Sequence, residues 1–211
     1  MDALYQLAWS AAEVVIPESM KRYLEGRKKR SFDILVEELR IGNVDPEEAA
    51  ARDEVAAMFV KFYQAMAQGA AFRNLRIIAK ILAHKAADPK ERTDDFIMWA
   101  DAIGGMTRDE CIVLATLLRI GKIQSRDTGL PPTLNTHDVF KVARIELCGA
   151  GKRFSDTQSY YATCSAMVRT GLVIPASGYG SIEYVLSIRA VDLANMVLLD
   201  EWADEILSNS S

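Results

Sequence analysis

The sequence has few cysteines and histidines, the residues that form disulfide bonds and most often bind metal ions. Only three of its 211 residues are cysteine and two are histidine. Cys111, Cys148 and Cys164 are odd in number and far apart, which argues against a disulfide scaffold and a CxxC metal knuckle. Unpaired cysteines are typical of a reducing compartment, so we expect a cytoplasmic protein. His84 and His137 lie far apart in the sequence, whereas a zinc site needs about four converging ligands, and we expect no metal site.

An excess of positive charge is also missing. The formal net charge is -4 and the isoelectric point is about 5.3. Residues 1–106 hold 15 basic and 17 acidic side chains, and residues 107–211 hold 10 and 12. Neither half therefore attracts nucleic acid or anionic lipid through its overall charge. Hydrophobic residues make up 50% of the chain, which is enough to bury a sizeable core.

Catalytic motifs are missing as well. The run Gly149-Ala150-Gly151-Lys152-Arg153 ends like a phosphate-binding loop. That motif requires Gly where Glu146 stands and Ser or Thr where Arg153 stands, and it should follow a strand rather than a helix. The end of a helix is the better interpretation of these glycines. The sequence contains no GxSxG or HExxH motif, so we expect neither an enzyme nor a bound cofactor.

No hydrophobic run is long enough to suggest a membrane span. Residues 1–16 are largely apolar, but they include Asp2 and Glu13 and lack a basic leader, unlike a signal peptide or a bilayer span. Apolar residues recur at helical spacing over residues 2–15. This pattern predicts a buried amphipathic helix and no integral membrane segment.

The first half of the chain does contain a series of amphipathic helices. Start signals and apolar periodicity predict helices from Ser19 to about Ile41, from Asp45-Pro46 to Gly69, from about Phe72 to Ala87 and from Asp88-Pro89 to Gly104-Gly105. Short connections and one apolar face on each helix predict an antiparallel helical bundle in residues 1–105. Gly104-Gly105 is the predicted domain boundary, because glycines let the chain change direction at little cost.

A dense basic cluster lies on the helix predicted to start at Ser19. Its only opposing charges are Glu18 and Glu25, and two interpretations are open. The cluster is either an anion patch for phosphate or acidic lipid headgroups, or a solvated helix face, which is the commoner role of a charge run. The cluster comprises Lys21, Arg22, Arg27, Lys28, Lys29 and Arg30.

The second half has a more specific order of elements. Thr107 and Glu110 form a capping box that opens a helix. Residues 136–148 predict a second helix, whose apolar face is Val139, Val142, Ala143 and Leu147.

A third helix is predicted from about Asp156. Ser155 is the expected N-cap, with Gln158 completing a second capping box, and Gly171 is expected to close the helix. The predicted apolar face is Tyr161, Cys164 and Val168, with Tyr160 and Met167 beside it.

A β-hairpin follows this helix. Leu172-Val173-Ile174 is a short β-branched run that Pro175 is expected to end. After a glycine-containing tip at residues 176–181, apolar and other residues alternate over residues 182–187, which predicts the returning strand. A closing helix is then predicted through Val191, Ala194, Trp202 and Ile206.

Three helices followed by a hairpin, with a Tyr in the returning strand, resemble a winged helix-turn-helix domain over residues 107–190. We therefore predict a mainly α protein, in which the bundle is followed by a winged-helix-like domain over residues 106–211 that includes the closing helix. In that family the third helix enters the major groove of DNA and the hairpin contacts the backbone or the minor groove. The resemblance thus implies DNA contacts from Lys152, Arg153, Thr157, Gln158, Ser159, Thr163, Arg169 and Tyr179.

The charge of this region departs from the usual winged-helix pattern. The third helix has one basic residue, Arg169, near its end, and the tip at residues 176–181 has none. Because phosphate neutralisation supplies most non-specific affinity, a monomer would bind DNA weakly. We therefore predict a non-catalytic interaction or regulatory module that acts through protein contacts or self-association, a homodimer included. Sequence-specific DNA binding is the alternative, and contact of residues 21–30 with a membrane or an anionic ligand is a further one.

Overall fold

A computed structural model describes residues 17–87, 93–128, 136–178 and 181–197 of the chain. These ranges contain nine α-helices, one 3-10 turn and one two-stranded antiparallel sheet. The predicted class, mainly α with one small β-hairpin, is therefore confirmed. The following predicted features lie outside the described residues: the helix over residues 2–15, the Asp88-Pro89 helix start, Tyr179, Trp202 and Ile206.

Five helices occupy the described part of the first half. They are α1 (Glu18–Ile41), α2 (Pro46–Ala50), α3 (Asp53–Ala67), α4 (Phe72–Ala87) and α5 (Thr93–Gly104). The predicted start at Asp45-Pro46 is confirmed. The Asp45 carboxylate accepts hydrogen bonds from the backbone NH groups of Glu47 (2.8 Å) and Glu48 (3.1 Å), which satisfies donors that a helix start leaves unpaired.

The single helix predicted from Asp45 to Gly69 is wrong, because the chain forms two helices there. Arg52 adopts an extended backbone (φ -92°, ψ 123°) between α2 and α3. Its guanidinium donates to the Ala86 carbonyl near the end of α4 (2.5 Å), where helical carbonyls lack partners. A tertiary contact thus accompanies a break that local helix propensity does not mark.

Helix α1 packs through its C-terminal half. It lies against α4, the most deeply buried helix of this half, in which Leu75, Ile78 and Leu82 are fully buried. The buried residues of α1 are Ser31, Ile34, Leu35, Glu38 and Leu39.

The second half follows the predicted order. Its elements are α6 (Arg108–Thr128), α7 (Thr136–Leu147), α8 (Thr157–Met167), the 3-10 turn Val168–Thr170, β1 (Val173–Gly178), β2 (Ser181–Leu186) and α9 (Ile188–Met196). The first capping box is confirmed: the Thr107 NH donates to Glu110 Oε2 (2.7 Å), and the Glu110 NH donates to Thr107 Oγ1 (3.3 Å). Gly171 follows the 3-10 turn with a left-handed φ of 69°, a conformation that glycine adopts without a Cβ clash.

Two predictions for α8 are wrong. The N-cap is Asp156 rather than Ser155, since the Asp156 carboxylate accepts a hydrogen bond from the NH of Ser159 (2.7 Å). A charged acceptor forms a stronger bond than a hydroxyl. The buried face also differs, because Tyr160 is fully buried whereas Tyr161 is 37% exposed.

The apolar face predicted for α7 is correct except at Val142. Val139, Ala143 and Leu147 are buried, as is Phe140, but Val142 is 41% exposed. The buried residues follow steps of four along the helix, and Phe140 widens this stripe on one side. Val142 falls beyond the other side of the stripe and therefore faces solvent.

The hairpin forms, but its strands are longer than predicted, since residues 176–178 pair with residues 181–183 and much of the predicted tip at residues 176–181 is strand. Val173 pairs with Leu186 and both are buried, while Ile174 faces outward. Pro175 was expected to end the strand, but it lies within β1 opposite Tyr184. Each strand of a two-stranded sheet has an unpaired edge, where a residue without a backbone NH is tolerated.

Helix α9 is shorter than the predicted closing helix. The Ser187 hydroxyl caps its start by accepting a hydrogen bond from the NH of Ala190 (3.3 Å). The helix ends at Met196, and Val197 is extended (φ -115°, ψ 126°). The predicted positions Trp202 and Ile206 of the closing helix lie outside the described residues.

Buried side chains on both sides of Gly104-Gly105 form one hydrophobic cluster. Within it, the fully buried Asn74 of α4 donates to the carbonyls of Ile103 (2.9 Å) and Met106 (2.8 Å). Its side-chain oxygen accepts a hydrogen bond from the Cys111 thiol (3.5 Å). One amide thus joins α4 to the end of α5 and the start of α6. The division into two domains at Gly104-Gly105 stays a prediction.

Candidate interaction surface

The solvent-facing side of α8 carries no charge. No residue from Thr157 to Met167 is ionisable as an acid or a base near neutral pH. Thr157, Gln158 and Ser159 are exposed, and Thr163 is half-buried. The Thr163 hydroxyl donates to the carbonyl of Ser159 (3.0 Å). The four residues predicted to reach DNA bases therefore all lie on α8, with Thr157 and Gln158 in its first turn.

Lys152 and Arg153, which were predicted to contact phosphates, bond within the protein. Arg153 Nε donates to Asp109 Oδ1 at the start of α6 (2.6 Å). Lys152 Nζ donates to the carbonyl of Ile145 (2.5 Å), one of the C-terminal carbonyls of α7 that lack helical partners. Both side chains stay at the surface, so their charges are partly offset but not buried.

Arg169 is held more firmly. Its guanidinium pairs with the Glu110 carboxylate, donates to Glu110 Oε2 (2.8 Å) and also donates to the Gly105 carbonyl (2.9 Å). The Glu110 side chain is only 3% exposed. Moving Arg169 to a phosphate would leave this carboxylate buried and without its cation, which is strongly unfavourable. The pairing therefore argues against a role for Arg169 as a DNA contact.

The Glu110 and Arg169 pair also changes the ionisation of both groups. Burial raises the pKa of the Glu110 carboxyl, but hydrogen bonds from Arg169 and from Thr107 outweigh burial and leave the pKa below its ordinary value of 4.5. The same carboxylate raises the pKa of the Arg169 guanidinium. Both groups are thus stabilised in their charged forms.

Tyr161 connects α8 to the hairpin and to α7. Its ring stacks on that of Tyr184 in β2, with centroids 6.4 Å apart. Arg144 Nη1 donates to the Tyr161 hydroxyl (3.3 Å). Behind it, the buried Tyr160 donates its hydroxyl proton to the carbonyl of Phe140 (3.2 Å). These contacts fix the exposed ring of Tyr161 in one orientation beside α7.

The exposed side of α7 was missed from the sequence. Ile145 is 60% exposed and Val142 is 41% exposed. Lys141 is exposed and Arg144 is half-buried beside Tyr161. A signal was available, because residues three and four apart share a helix face. Val142 and Ile145 therefore lie together, and Lys141 shares the face of Ile145.

The cysteines are not poised as nucleophiles. Burial raises the pKa of the Cys111 thiol to about 11 and that of the Cys164 thiol to about 12. Burial also raises the pKa of Cys148. Reactive cysteines have lowered pKa values, and the fully buried Cys111 and Cys164 act as small side chains of the core.

The basic cluster of α1 divides into two groups. Arg27 donates to the carbonyl of Ala70, and the guanidinium groups of Arg27 and Arg30 lie 5.0 and 4.3 Å from the centroid of the Phe72 ring. These two arginines join α1 to the start of α4 through cation–π contacts. The other members of the cluster are exposed: Lys21, Arg22, Lys28 and Lys29.

A small cleft lies between α3 and α5. Its volume is about 150 Å³, less than the roughly 300 Å³ at which ligand pockets begin. Lys61 Nζ and Asp101 Oδ1, which both line it, are 2.6 Å apart. The two charged side chains that line the cleft therefore form an ion pair with each other.

Within the described ranges, no helix has the length and apolar character that a membrane span requires. The same part of the chain contains no group of three His, Cys, Asp or Glu side chains that could hold a metal ion. Comparisons with protein-family models, curated proteins and solved structures find no match. The exposed sides of α7 and α8 carry residues that were predicted to contact DNA, together with the exposed apolar side chains of Val142 and Ile145.

Proposed function

We propose that the protein is a non-catalytic interaction module that binds another protein through the exposed sides of α7 and α8. One observation carries this proposal. The exposed side of α8 is uncharged, while Arg153 and Arg169 beside it are held by Asp109 and Glu110. Binding to nucleic acid depends on cationic side chains that can reach its phosphate backbone. Protein interfaces instead favour aromatic and apolar side chains, and Tyr161 is such a residue.

The order of elements supports a winged-helix-like arrangement in the second half. Helices α6, α7 and α8 precede the hairpin, and stacking of Tyr161 on Tyr184 joins α8 to β2. A fold of this kind does not by itself imply DNA binding, because one fold supports many functions. In this chain we assign the third helix of the arrangement to protein contact.

The class of partner includes a second copy of this chain. The cytoplasm is the proposed compartment, since a reducing environment suits the three unpaired thiols at Cys111, Cys148 and Cys164. Their raised pKa values keep these thiols protonated near neutral pH. The proposal therefore assigns no bond-making role to them.

A photoreactive amino acid at Ala162, an exposed position on α8, tests the proposal. In a cell extract we expect a covalent adduct with one discrete protein. An excess of the same protein without the photoreactive residue should suppress formation of this adduct. The matched control carries the same probe at Ala50, which is exposed at the end of α2. Equal labelling from both positions, or an adduct that nuclease removes, would contradict the proposal.

DNA binding is the competing function, and salt dependence separates the two. We expect fluorescence anisotropy of a labelled duplex to show no binding at low salt. Affinity that falls steeply with added salt and disappears in Lys152→Glu would instead favour a DNA-binding regulator, since each phosphate contact releases counterions.

A further inference from the structure

Apolar and basic side chains meet on one exposed surface between α7 and α8. Val142 and Ile145 lie three residues apart on the same side of α7, and they are 41% and 60% exposed. Lys141 precedes Ile145 by four residues and shares its side of α7, and the Lys152 ammonium donates to the Ile145 carbonyl (2.5 Å). On the side of α7 away from Val142, the Arg144 guanidinium donates to the Tyr161 hydroxyl (3.3 Å). We call this surface the α7–α8 ridge and define it by Lys141, Val142, Arg144, Ile145, Lys152 and Tyr161.

The ridge is locally cationic on an acidic protein. Three of its six residues are basic, whereas the whole chain has a net charge of -4. Two neighbouring acids have partners elsewhere: Glu146 pairs with Arg119 of α6, and Asp156 caps α8. Asp138 is exposed and lies one helical turn before Val142, but about two turns from Ile145. Positive charge is therefore concentrated around Ile145, the more exposed of the two apolar side chains.

We propose that the α7–α8 ridge binds an acidic segment of the partner, one that presents an aliphatic or aromatic side chain between carboxylates. This inference rests on the proposed function and names the chemistry of the partner. The apolar side chain of the segment covers Ile145 and Val142, which removes their surface from water. Its carboxylates lie against Lys141, Arg144 and Lys152, where opposite charges speed encounter and fix the register of binding.

Arg144 is suited to select a carboxylate. Its guanidinium has several NH donors in one plane, and such a group can bind both oxygens of a carboxylate. The bond from Nη1 to Tyr161 uses one side of that group and holds it near α8. An orientation fixed before binding reduces the entropy lost when the complex forms.

A phosphate backbone fits the same ridge less well. Duplex DNA carries one charge per roughly 1.7 Å of its axis, whereas the ridge offers three cations. Ile145 lies beside Lys141 and Lys152 and would face phosphate charges without an apolar partner. An acidic peptide supplies both the carboxylates and the apolar group, so charge and apolar surface together favour protein over nucleic acid.

Peptide binding to the whole protein tests the inference. The probe is a synthetic fluorescent peptide in which glutamates surround a tryptophan and an isoleucine placed four positions apart. The control peptide has glutamine in place of each glutamate. Fluorescence anisotropy should show that the acidic peptide binds and that its affinity falls as salt is added. The glutamine peptide should bind at least about tenfold more weakly.

Exposed substitutions locate the binding site. Lys141→Glu should weaken binding of the acidic peptide about tenfold, and Ile145→Ser should weaken it as well. The matched control is Arg40→Glu at the end of α1, which makes the same charge change at an exposed position outside both the ridge and the basic cluster at residues 21–30 and should leave affinity unchanged. Far-UV circular dichroism checks that all three variants fold. Equal weakening by Arg40→Glu, or equal binding of both peptides, would overturn the inference.

The outcomes also separate this inference from the proposed function. If the Ala162 adduct forms but the acidic peptide neither binds nor suppresses formation of that adduct, the ridge inference fails and the proposed function stands. If neither adduct nor peptide binding is seen, both fail. A duplex that displaces the peptide, and whose own binding is lost in Lys141→Glu, identifies a nucleic-acid site and overturns the choice of a protein segment.

Discussion

The carboxylate of Glu110 links two distant parts of the chain. It accepts hydrogen bonds from the Thr107 NH (2.7 Å) and from Arg169 (2.8 Å), which is 59 residues away in sequence. The contact with Thr107 was predictable, because a capping box has a fixed local spacing. No local pattern marks the contact with Arg169, since the fold alone brings the two residues together. The sequence therefore predicted that Arg169 is free to contact DNA, whereas in the fold its guanidinium pairs with the buried Glu110 carboxylate.

The Glu110 pair predicts a specific pH dependence of stability. The folded pKa of Glu110 lies below 4.5, so the unfolded chain binds this proton more readily than the folded protein does. The stabilisation is complete above the unfolded value and is lost as pH falls through the folded value. We expect the difference in unfolding free energy between wild type and Glu110→Gln to be constant from neutral pH to about pH 5 and to shrink below it. Urea denaturation at a series of pH values measures this difference.

Arg169→Gln is the matched variant, because it removes the other half of the pair. In a double-mutant cycle with Glu110→Gln, the two effects should be clearly non-additive. Additive effects, or a wild-type advantage that stays unchanged down to about pH 3, would show that the stabilisation arises from something other than the ion pair.

Helix α8 shows how far a local pattern can define an element. Its existence and its closure at Gly171 were predicted, but the cap was placed one residue early and the wrong tyrosine was placed in the core. Tyr160 and Tyr161 are chemically identical neighbours, so the sequence does not distinguish them. The choice depends on packing: the Tyr160 ring meets the edge of Phe154, with centroids 5.9 Å apart. That contact becomes known only when α7, the following turn and α8 are assembled.

The start of α8 can be tested with two adjacent substitutions. Asp156→Ala should lower the thermal midpoint more than Ser155→Ala, because the Asp156 carboxylate accepts the hydrogen bond from the NH of Ser159. Asp156→Asn should recover most of the loss, since Asn is also a good N-cap. Thermal denaturation followed by circular dichroism compares the three variants. A larger loss in Ser155→Ala would return the cap to Ser155.

The break between α2 and α3 has a cause of the same kind. Residues 45–69 have helical periodicity, which predicted one helix, but Arg52 leaves the helix and its side chain reaches Ala86, 34 residues away.

Pro175 shows the converse error, because a residue that usually ends a strand was given too much weight. Its position at the edge of a two-stranded sheet removes the penalty that it would have in a central strand. The contact of Arg52 with Ala86 and the absence of a third strand beside Pro175 are both tertiary features, which the local sequence does not show.

Buried side chains from α1 to α9 form one cluster across the described part of the molecule. Helix α9, the last described element, contacts α4 of the first half as well as α6. Composition predicted a sizeable core, and the glycine pair predicted a place where the chain could divide. How the core is shared across Gly104-Gly105 depends on contacts such as those of Asn74, which periodicity does not reveal. A polar residue among buried positions of α4 was the only local hint.

The shared core predicts that the two halves unfold together. Trp99 in α5 and Cys164 in α8 are 3% and 0% exposed and lie on opposite sides of Gly104-Gly105. In a protein with Trp9 and Trp202 replaced by Phe, fluorescence reports Trp99 alone. Labelling of Cys164 by a thiol reagent, read by mass spectrometry, reports the second half. Both signals should follow one urea transition with the same midpoint.

The coupling between the halves can be probed at Asn74. Asn74→Ala leaves the buried carbonyls of Ile103 and Met106 without their donor, and the loss should be about 2–4 kcal/mol of unfolding free energy. Both midpoints should fall together. The matched control is Asn195→Ala at an exposed position of α9, where a change within about 0.5 kcal/mol is expected. If the two signals separate already in the unsubstituted background, each half folds on its own, and Gly104-Gly105 is a domain boundary despite the shared core. If they separate only in Asn74→Ala, this single amide is what makes the two halves one cooperative unit.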